Sequence, residues 1–248
     1  TLQDAICCRD DIMIYLIKKG VPPNHAFKIM ETVRKGKALK DPAKWAEYVA
    51  LMKEHNVPDW YIKSCEKIKY MFPKAHAAAY VTNAFRIAWF KVHIPLAYYA
   101  AYFSIRAKAF DASCMIFGKE KVKNKMKEIE MKNQKKEATK AELDMYDDLE
   151  IVLEMYERGF EFLPVDLYES EATKFKVQDN KLRPPLNSIP GFGGVAAQGI
   201  VEARKDGKFM SIDDLKIRAK IGASGADLLK EFGCLEGMSQ SNQLSLFG

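Results

Sequence analysis

The first half of the chain spaces its apolar residues with a helical period, and clear stop signals cut the pattern into segments. Apolar positions recur from Asp10 to Lys19, where Gly20, Pro22 and Pro23 end the run. Asn24 is placed to cap a second helix through Phe27, Ile29, Met30 and Val33, which leads into Arg34-Lys35-Gly36-Lys37. Asp41 and Pro42 pair a capping side chain with a first-turn proline, opening a third helix through Trp45, Tyr48 and Met52. Pro58 opens a fourth, expected to run to near Met71. Pro73 separates it from an Ala-rich helix, and Pro95 precedes an aromatic one with Tyr98, Tyr99, Tyr102 and Phe103. Residues 111–158 read as two long helices stopped by Gly159.

Beyond Gly159 the helical period ceases. Phe162–Tyr168 and Thr173–Val177 alternate only partly, and Asp179-Asn180 and Arg183-Pro184-Pro185 are turn-rich. Residues 161–186 therefore predict a small β-element or linker. A second helical module fills 187–236, and 237–248 read as a flexible tail, polar up to Leu244, Leu246 and Phe247. The pattern predicts a mainly α chain whose residues 1–160 form one helical domain, with no internal repeat of fixed period.

Composition narrows the class. With 48% hydrophobic and 29% charged residues, the 248-residue chain can bury a real core. No window approaches 18 uninterrupted apolar residues, so no membrane partner is expected. Five cysteines without CxxC spacing read as cytosolic thiols and support neither a zinc site nor a disulfide framework. The opening Thr1-Leu2-Gln3-Asp4 carries neither an initiator Met nor a signal peptide, and is expected to follow from an upstream segment. The net charge of +6 is unevenly spread: residues 1–118 carry 18 basic against 10 acidic side chains, and 119–140 nine lysines against four glutamates. Residues 141–186 carry 5 against 12, and 187–248 balance at 7 and 7. A basic first half suits phosphate partners, although the 119–140 run reads equally as a solvated lysine-rich surface.

Three constellations carry candidate chemistry. In Phe72-Pro-Lys-Ala-His-Ala-Ala-Ala-Tyr80, His76 and Tyr80 share one helix face, with Ala77, Ala78 and Ala79 leaving room beside them. That face is either a binding strip, with Lys74, or a core His–Tyr pair. In Ser188-Ile-Pro-Gly-Phe-Gly-Gly-Val195, Gly191 and Gly193 can take positive φ and let backbone N–H groups close on a phosphate at the start of a helix. This stretch, with Phe192, Gly194 and Val195, resembles a helix-hairpin-helix motif, and Gly222-Ala-Ser-Gly225 resembles a degenerate second copy. Third, Gln243-Leu244-Ser245-Leu246-Phe247 places apolar anchors behind a polar leader. It is similar to the sliding-clamp-binding peptide of bacterial replication proteins.

Arg9, Lys35, Lys37 and Lys74 are further candidates for phosphates. Asp10 and Asp11, as helix neighbours, point about 100° apart and cannot chelate one ion together. No Asp-x-Asp pair on a strand-like segment is available for a two-metal centre, the histidines show no ligand spacing, and Gly191-Phe-Gly-Gly lacks the preceding strand of a dinucleotide fold.

The string from Phe72 through Arg86-Ile-Ala-Trp-Phe-Lys-Val-His-Ile-Pro95 to Asp111, with Cys8-Arg-Asp-Asp-Ile-Met13 upstream and Asn187–Gly193 downstream, resembles the fingers region of the replicative bacterial DNA polymerase III alpha subunit in its PolC form. The resemblance covers essentially the whole chain. It implies that residues 1–160 are fingers-like, with Arg9, Lys37, Lys74, His76 and Tyr80 facing the incoming deoxynucleoside triphosphate and template. It further implies a tandem helix-hairpin-helix module on duplex DNA, a tail on the β sliding clamp, and a cytoplasmic, nucleoid-associated enzyme. Mg²⁺ would come with the nucleotide and be held mainly by palm carboxylates outside this chain, which itself holds no metal, has no catalytic residue and is expected to be inactive alone. A non-catalytic DNA-binding scaffold docked on a clamp is the alternative, and a helical protein-interaction domain without nucleic acid is a third reading.

Overall fold

A computed structural model of the chain describes residues 5–241. These divide into two compact units, one up to Ile87 and one from Ala88 onward. The division falls inside a helix, where periodicity is unbroken; pattern and compactness report different things. No helix among the described residues is long and apolar enough to cross a membrane.

The first unit contains α1 (Arg9–Lys18), α2 (Pro23–Arg34), α3 (Pro42–Glu54), α4 (Asp59–Lys67) and most of α5 (Lys74–His93). Its core joins Ile12 and Leu16 of α1, Ile29 and Val33 of α2, Trp45 and Met52 of α3, and Tyr61 and Cys65 of α4. These are the apolar positions spaced three and four apart, so periodicity and burial agree. Asp41 caps α3 as expected, its Oδ1 accepting from Lys44 N–H at 3.2 Å. Asn24 does not cap α2. The helix starts at Pro23 behind Pro22, because a proline at the first position has no N–H that needs a cap. α4 also stops at Lys67, short of Met71. Residues 68–72 leave the helix to bond elsewhere: Met71 N–H donates to Arg34 O at 3.1 Å, and Phe72 O accepts from Arg9 N–H at 3.2 Å.

The second unit begins with the end of α5 and α6 (Pro95–Ile105). The stretch expected as two helices is three, because α7 (Ala112–Met115) makes one turn before Gly118, at φ +98°, breaks to α8 (Lys119–Gln134) and α9 (Lys140–Glu157). β1 (Lys176–Gln178) and β2 (Lys181–Arg183) pair antiparallel, with Val177 opposite Leu182. Asp179 and Asn180 both have positive φ between them, the tight hairpin that matches strand twist. Residues 161–186 are not a passive connection. Phe162, Phe175 and Leu182 share a core with Tyr99, Phe103, Leu149 and Met155, while Val165, Leu167 and Leu186 belong to the core that follows.

That last core is built by α10 (Gly194–Ala203), α11 (Ile212–Ala219) and α12 (Ala223–Glu231). The segment expected as a flexible tail from 237 is tied down at its start. Ser239 O and Gln240 O accept from Ile212 and Asp213 N–H at 2.9 and 3.1 Å, satisfying donors that open α11.

Asp148 is the one buried carboxylate in α9, and its Oδ2 accepts from Lys108 and Ala109 N–H at 2.9 and 2.8 Å. Burial pushes its pKa up, against those two donors. Removing the acceptor leaves two inner N–H groups orphaned. Asp148→Ala is therefore expected to destabilise the second unit by about 2–4 kcal/mol, whereas Asp148→Asn, whose amide oxygen can take both bonds, should lose well under half of that. Denaturant melts of the two variants check the ordering.

Candidate nucleic-acid interface

The strongest site geometry is at the start of α10. Gly191 takes φ +79°, a conformation open to glycine at little cost, and Phe192 N–H closes the turn on Ile189 O at 3.0 Å. Phe192 is buried, which aims the turn outward. Gly193, expected to share the positive φ, instead sits at φ −72°, ψ 151°, extended backbone that any residue adopts. A Cβ built on it meets nothing within 4 Å. Neither conformation nor packing in this chain calls for glycine there. The first intrahelical bond is Ala197 N–H to Gly193 O, and no side chain caps the N–H groups before it. Bare backbone, open donors and the positive end of a helix dipole are complementary to a phosphate oxygen. Gly194 lies in the same turn, and Val195 is 90% exposed beside it.

The same arrangement recurs before α12. Lys220 holds φ +55°, Ile221 is buried, and Gly222 is the extended N-cap with open space at its Cβ position. Lys220-Ile221-Gly222 thus corresponds to Gly191-Phe192-Gly193. The second copy begins two residues earlier than Gly222–Gly225 suggested. Gly225 has a packing role instead, with a Cβ there only 3.4 Å from the Phe192 ring. Gly199 backs onto Ala219, where a Cβ would stand 2.4 Å from its carbonyl oxygen. The module's arginines are spent internally: Arg204 donates to Leu167 O and Ser170 O, and Arg218 to Ala203 O and Gly207 O. Neither arginine is free for an anion, while Lys220, exposed in the second turn, makes no ion pair among the described residues.

Residues 159–244 match the helix-hairpin-helix motif family. Over its full length the chain is 53% identical to a PolC-type DNA polymerase III of Clostridium perfringens (strain 13), covering 17% of that protein. The corresponding protein of Oceanobacillus iheyensis is 54% identical over 99% of the chain, and that of Bacillus subtilis (strain 168) 53% over 99%, each again covered to 17%. The whole chain is homologous to one segment of PolC-type DNA polymerase III. It spans about one sixth of the length of the curated relatives it matches.

The remaining expected contacts of this PolC-like chain lie in the first unit. Arg9 and Lys74 meet at Asp10, whose Oδ2 accepts Lys74 N–H at 2.7 Å and stands 4.0 Å from Arg9 Nε. Arg9 also reaches Glu31 at 3.8 Å. Asp11 Oδ2 accepts from Cys7 and Cys8 N–H, and Lys74 Nζ lies 3.5 Å from Asp11 Oδ1. Burial opposes ionisation of Asp11, yet the Cys8 and Cys7 donors and Lys74 hold its pKa below the usual range. Both aspartates are thus structural caps. His76 stacks on Phe72 with centroids 6.0 Å apart and meets Tyr80 edge-on at 5.2 Å. Phe72 and Tyr80 are 50% and 65% exposed, so the pair is no core pair in this chain. Lys37 is exposed in the turn after α2, and no contact joins it to the others. Among the described residues no cluster of His, Cys, Asp and Glu could hold a metal ion. Gln243, Leu244, Ser245, Leu246 and Phe247 lie outside the described residues.

Sequence reading missed Lys220 and Ile221, because a lysine stands where the first hairpin has glycine. It also missed Lys40, Lys63, Lys67 and Lys69, which line a groove with Lys35. The only signal was the four-residue spacing of Lys63 and Lys67.

Gly193 separates fold from ligand. Gly193→Val should leave the melting temperature within error and weaken duplex binding roughly ten- to hundred-fold on every sequence, the loss of a charge-assisted backbone contact. Gly191→Ala should instead cost about 1 kcal/mol of stability through its positive φ. Anisotropy titrations on two unrelated duplexes, beside thermal melts, check both.

Proposed function

We propose that this chain is the nucleotide- and duplex-binding segment of a replicative bacterial DNA-directed DNA polymerase, a nucleotidyltransferase. The observation that carries the reading is the open, side-chain-free turn at Gly193, within a chain about half identical to PolC-type DNA polymerase III along its whole length. The paired hairpins grip duplex phosphates without reading bases. The α5 face meets the incoming dNTP and the templating base, with Lys74, Arg9 and Lys37 toward phosphates, His76 as a hydrogen-bond donor and Tyr80 as a platform. The tail residues Gln243 to Phe247 plug into a β sliding clamp, tethering the polymerase in the cytoplasm to its template.

Magnesium enters with the dNTP. Asp10 and Asp11 do not fit a metal pair, since Asp10 takes the Lys74 N–H and Asp11 the Cys7 and Cys8 N–H groups. The carboxylates that activate the primer 3′-hydroxyl and stabilise departing pyrophosphate belong to a palm outside this chain, so the chain alone is inactive. A DNA-binding scaffold docked on a clamp is the competing reading. It gives no reason for exposed His76 and Tyr80 on a helix with no buried residue.

In the intact polymerase, Lys74→Ala and His76→Ala should act mainly through KM for dNTP, each lost contact costing about 1.5–3 kcal/mol. Steady-state kinetics showing both variants at wild-type KM and kcat would return α5 to a structural role. Deleting residues 243–248 should spare short-primer extension and abolish clamp-stimulated long products. The free peptide should bind the clamp only weakly, near micromolar, because two buried apolar anchors supply about 1.5–3 kcal/mol each before ordering costs. Equal clamp stimulation with and without these residues would remove the clamp from the proposal.

A further inference from the structure

A groove of about 880 Å³ lies in the first unit, between the turn after α2 and α4 with the segment that follows it. Lys35, Lys40, Lys63, Lys67 and Lys69 line it, with Glu66 the sole acid. Glu66 Oε1 is taken by the Trp45 indole N–H at 2.9 Å, and Lys35 is paired with Glu31 at 2.9 Å. Arg34 and then Lys35 hold the Glu31 carboxyl down to about 2, so Glu31 is already saturated with positive partners. No ion pair among the described residues involves Lys40, Lys63, Lys67 or Lys69. Lys63 and Lys67, one turn apart on α4, repel each other.

The other lysine-rich element behaves differently. On α8, Lys119 and Lys123 reach Glu157, Lys125 reaches Glu128, and Lys132 joins Glu128 to Glu142. Four of its six lysines are answered within the fold, whereas among the described residues four of the groove's five have no ion pair. The groove is also held by backbone. Gly36, at φ +61°, lets the turn close on Lys69, where a Cβ would stand 2.4 Å from the carbonyl oxygen. Beyond Lys69 come Tyr70 and Phe72, exposed and edge-to-face at 5.3 Å, and Phe72 leads to His76. A polyanion leaving the groove therefore meets a series of open ring faces. Cations along a track followed by stacking platforms suit single-stranded nucleic acid; a duplex keeps its bases paired and offers nothing to the rings.

We propose that this groove holds the sugar-phosphate backbone of an unpaired DNA strand, whose bases stack at Tyr70 and Phe72. Identifying that strand as the template on its way to α5 rests on the function proposed above; the groove's preference for a single strand does not.

The test is a salt-dependent anisotropy titration of this chain with an oligothymidylate and with a blunt duplex. Lys63→Gln/Lys67→Gln/Lys69→Gln should bind the oligothymidylate about ten-fold more weakly, with a slope of log K against log salt shallower by about 2, since each single-strand phosphate contributes about 0.7. Duplex affinity should not change. Lys40→Gln, on the opposite rim, should shift the slope in the same direction and stands in should the triple variant melt early. Unchanged oligothymidylate affinity and slope, or an equal loss on duplex, would overturn the groove. Gly193→Val distinguishes the two ideas: it should weaken duplex alone, and absence of duplex binding by the unaltered chain would sink the hairpin reading while leaving the groove standing.

Discussion

α5 buries none of its twenty residues, so side-chain packing cannot fix its position, and its ends must do so. At the start, Asp10 accepts the Lys74 N–H and Arg9 N–H holds Phe72 O, two bonds from the first turn of α1. Near the far end, Arg158 donates to Lys91 O at 3.0 Å, and Lys91 Nζ reaches Glu154 at 3.0 Å. Glu154 also accepts from Tyr99 OH at 2.6 Å, in a network that burial of Tyr99 strengthens. End-held, the helix leaves most of its side chains exposed, which lets His76 and Tyr80 line up with Phe72, just before the helix, as an open series of rings. Phe72, His76 and Tyr80 all lie in the first unit, so the ring series inherits its position from contacts local to that unit.

The distribution of charge follows a second logic. Arginines of the hairpin module are turned onto backbone carbonyls, and the α8 lysines onto acids of α8 and α9. Only Lys121 and Lys127 of α8, and scattered lysines such as Lys220 and Lys230 of the hairpin module, make no ion pair among the described residues. The hairpins offer bare N–H groups, whose strength does not depend on net charge and whose reach ends within a few ångströms. The groove of the first unit does the reverse, offering unpaired ammonium groups on flexible stems. One is suited to a rigid, regularly spaced backbone held close, the other to a strand with no fixed shape.

Much of the fold was legible because helical period and burial are the same fact seen twice: Ile12, Ile29, Trp45 and Tyr61 were apolar in register and are inside. Asp41-Pro42 was legible because capping is local. What failed was non-local. α4 ends early because Met71 finds Arg34 across the unit, and no window of sequence contains that bond. Gly193 was read as a positive-φ residue because two glycines two apart look alike on paper, yet only Gly191 needs the freedom. The second hairpin was offset because Lys220 adopts a left-handed conformation that its identity does not announce. The groove was invisible because its lysines come from two separate stretches, 35–40 and 63–69, and four of the five are distinguished only by having no ion pair among the described residues.

The knot at Ser239 and Gln240 has a mechanical consequence. By closing onto the first N–H groups of α11, these carbonyls make the chain's last described residues part of the hairpin module. Pulling this segment away would leave two donors at the start of α11 without partners, so the segment and the helix it closes must open together.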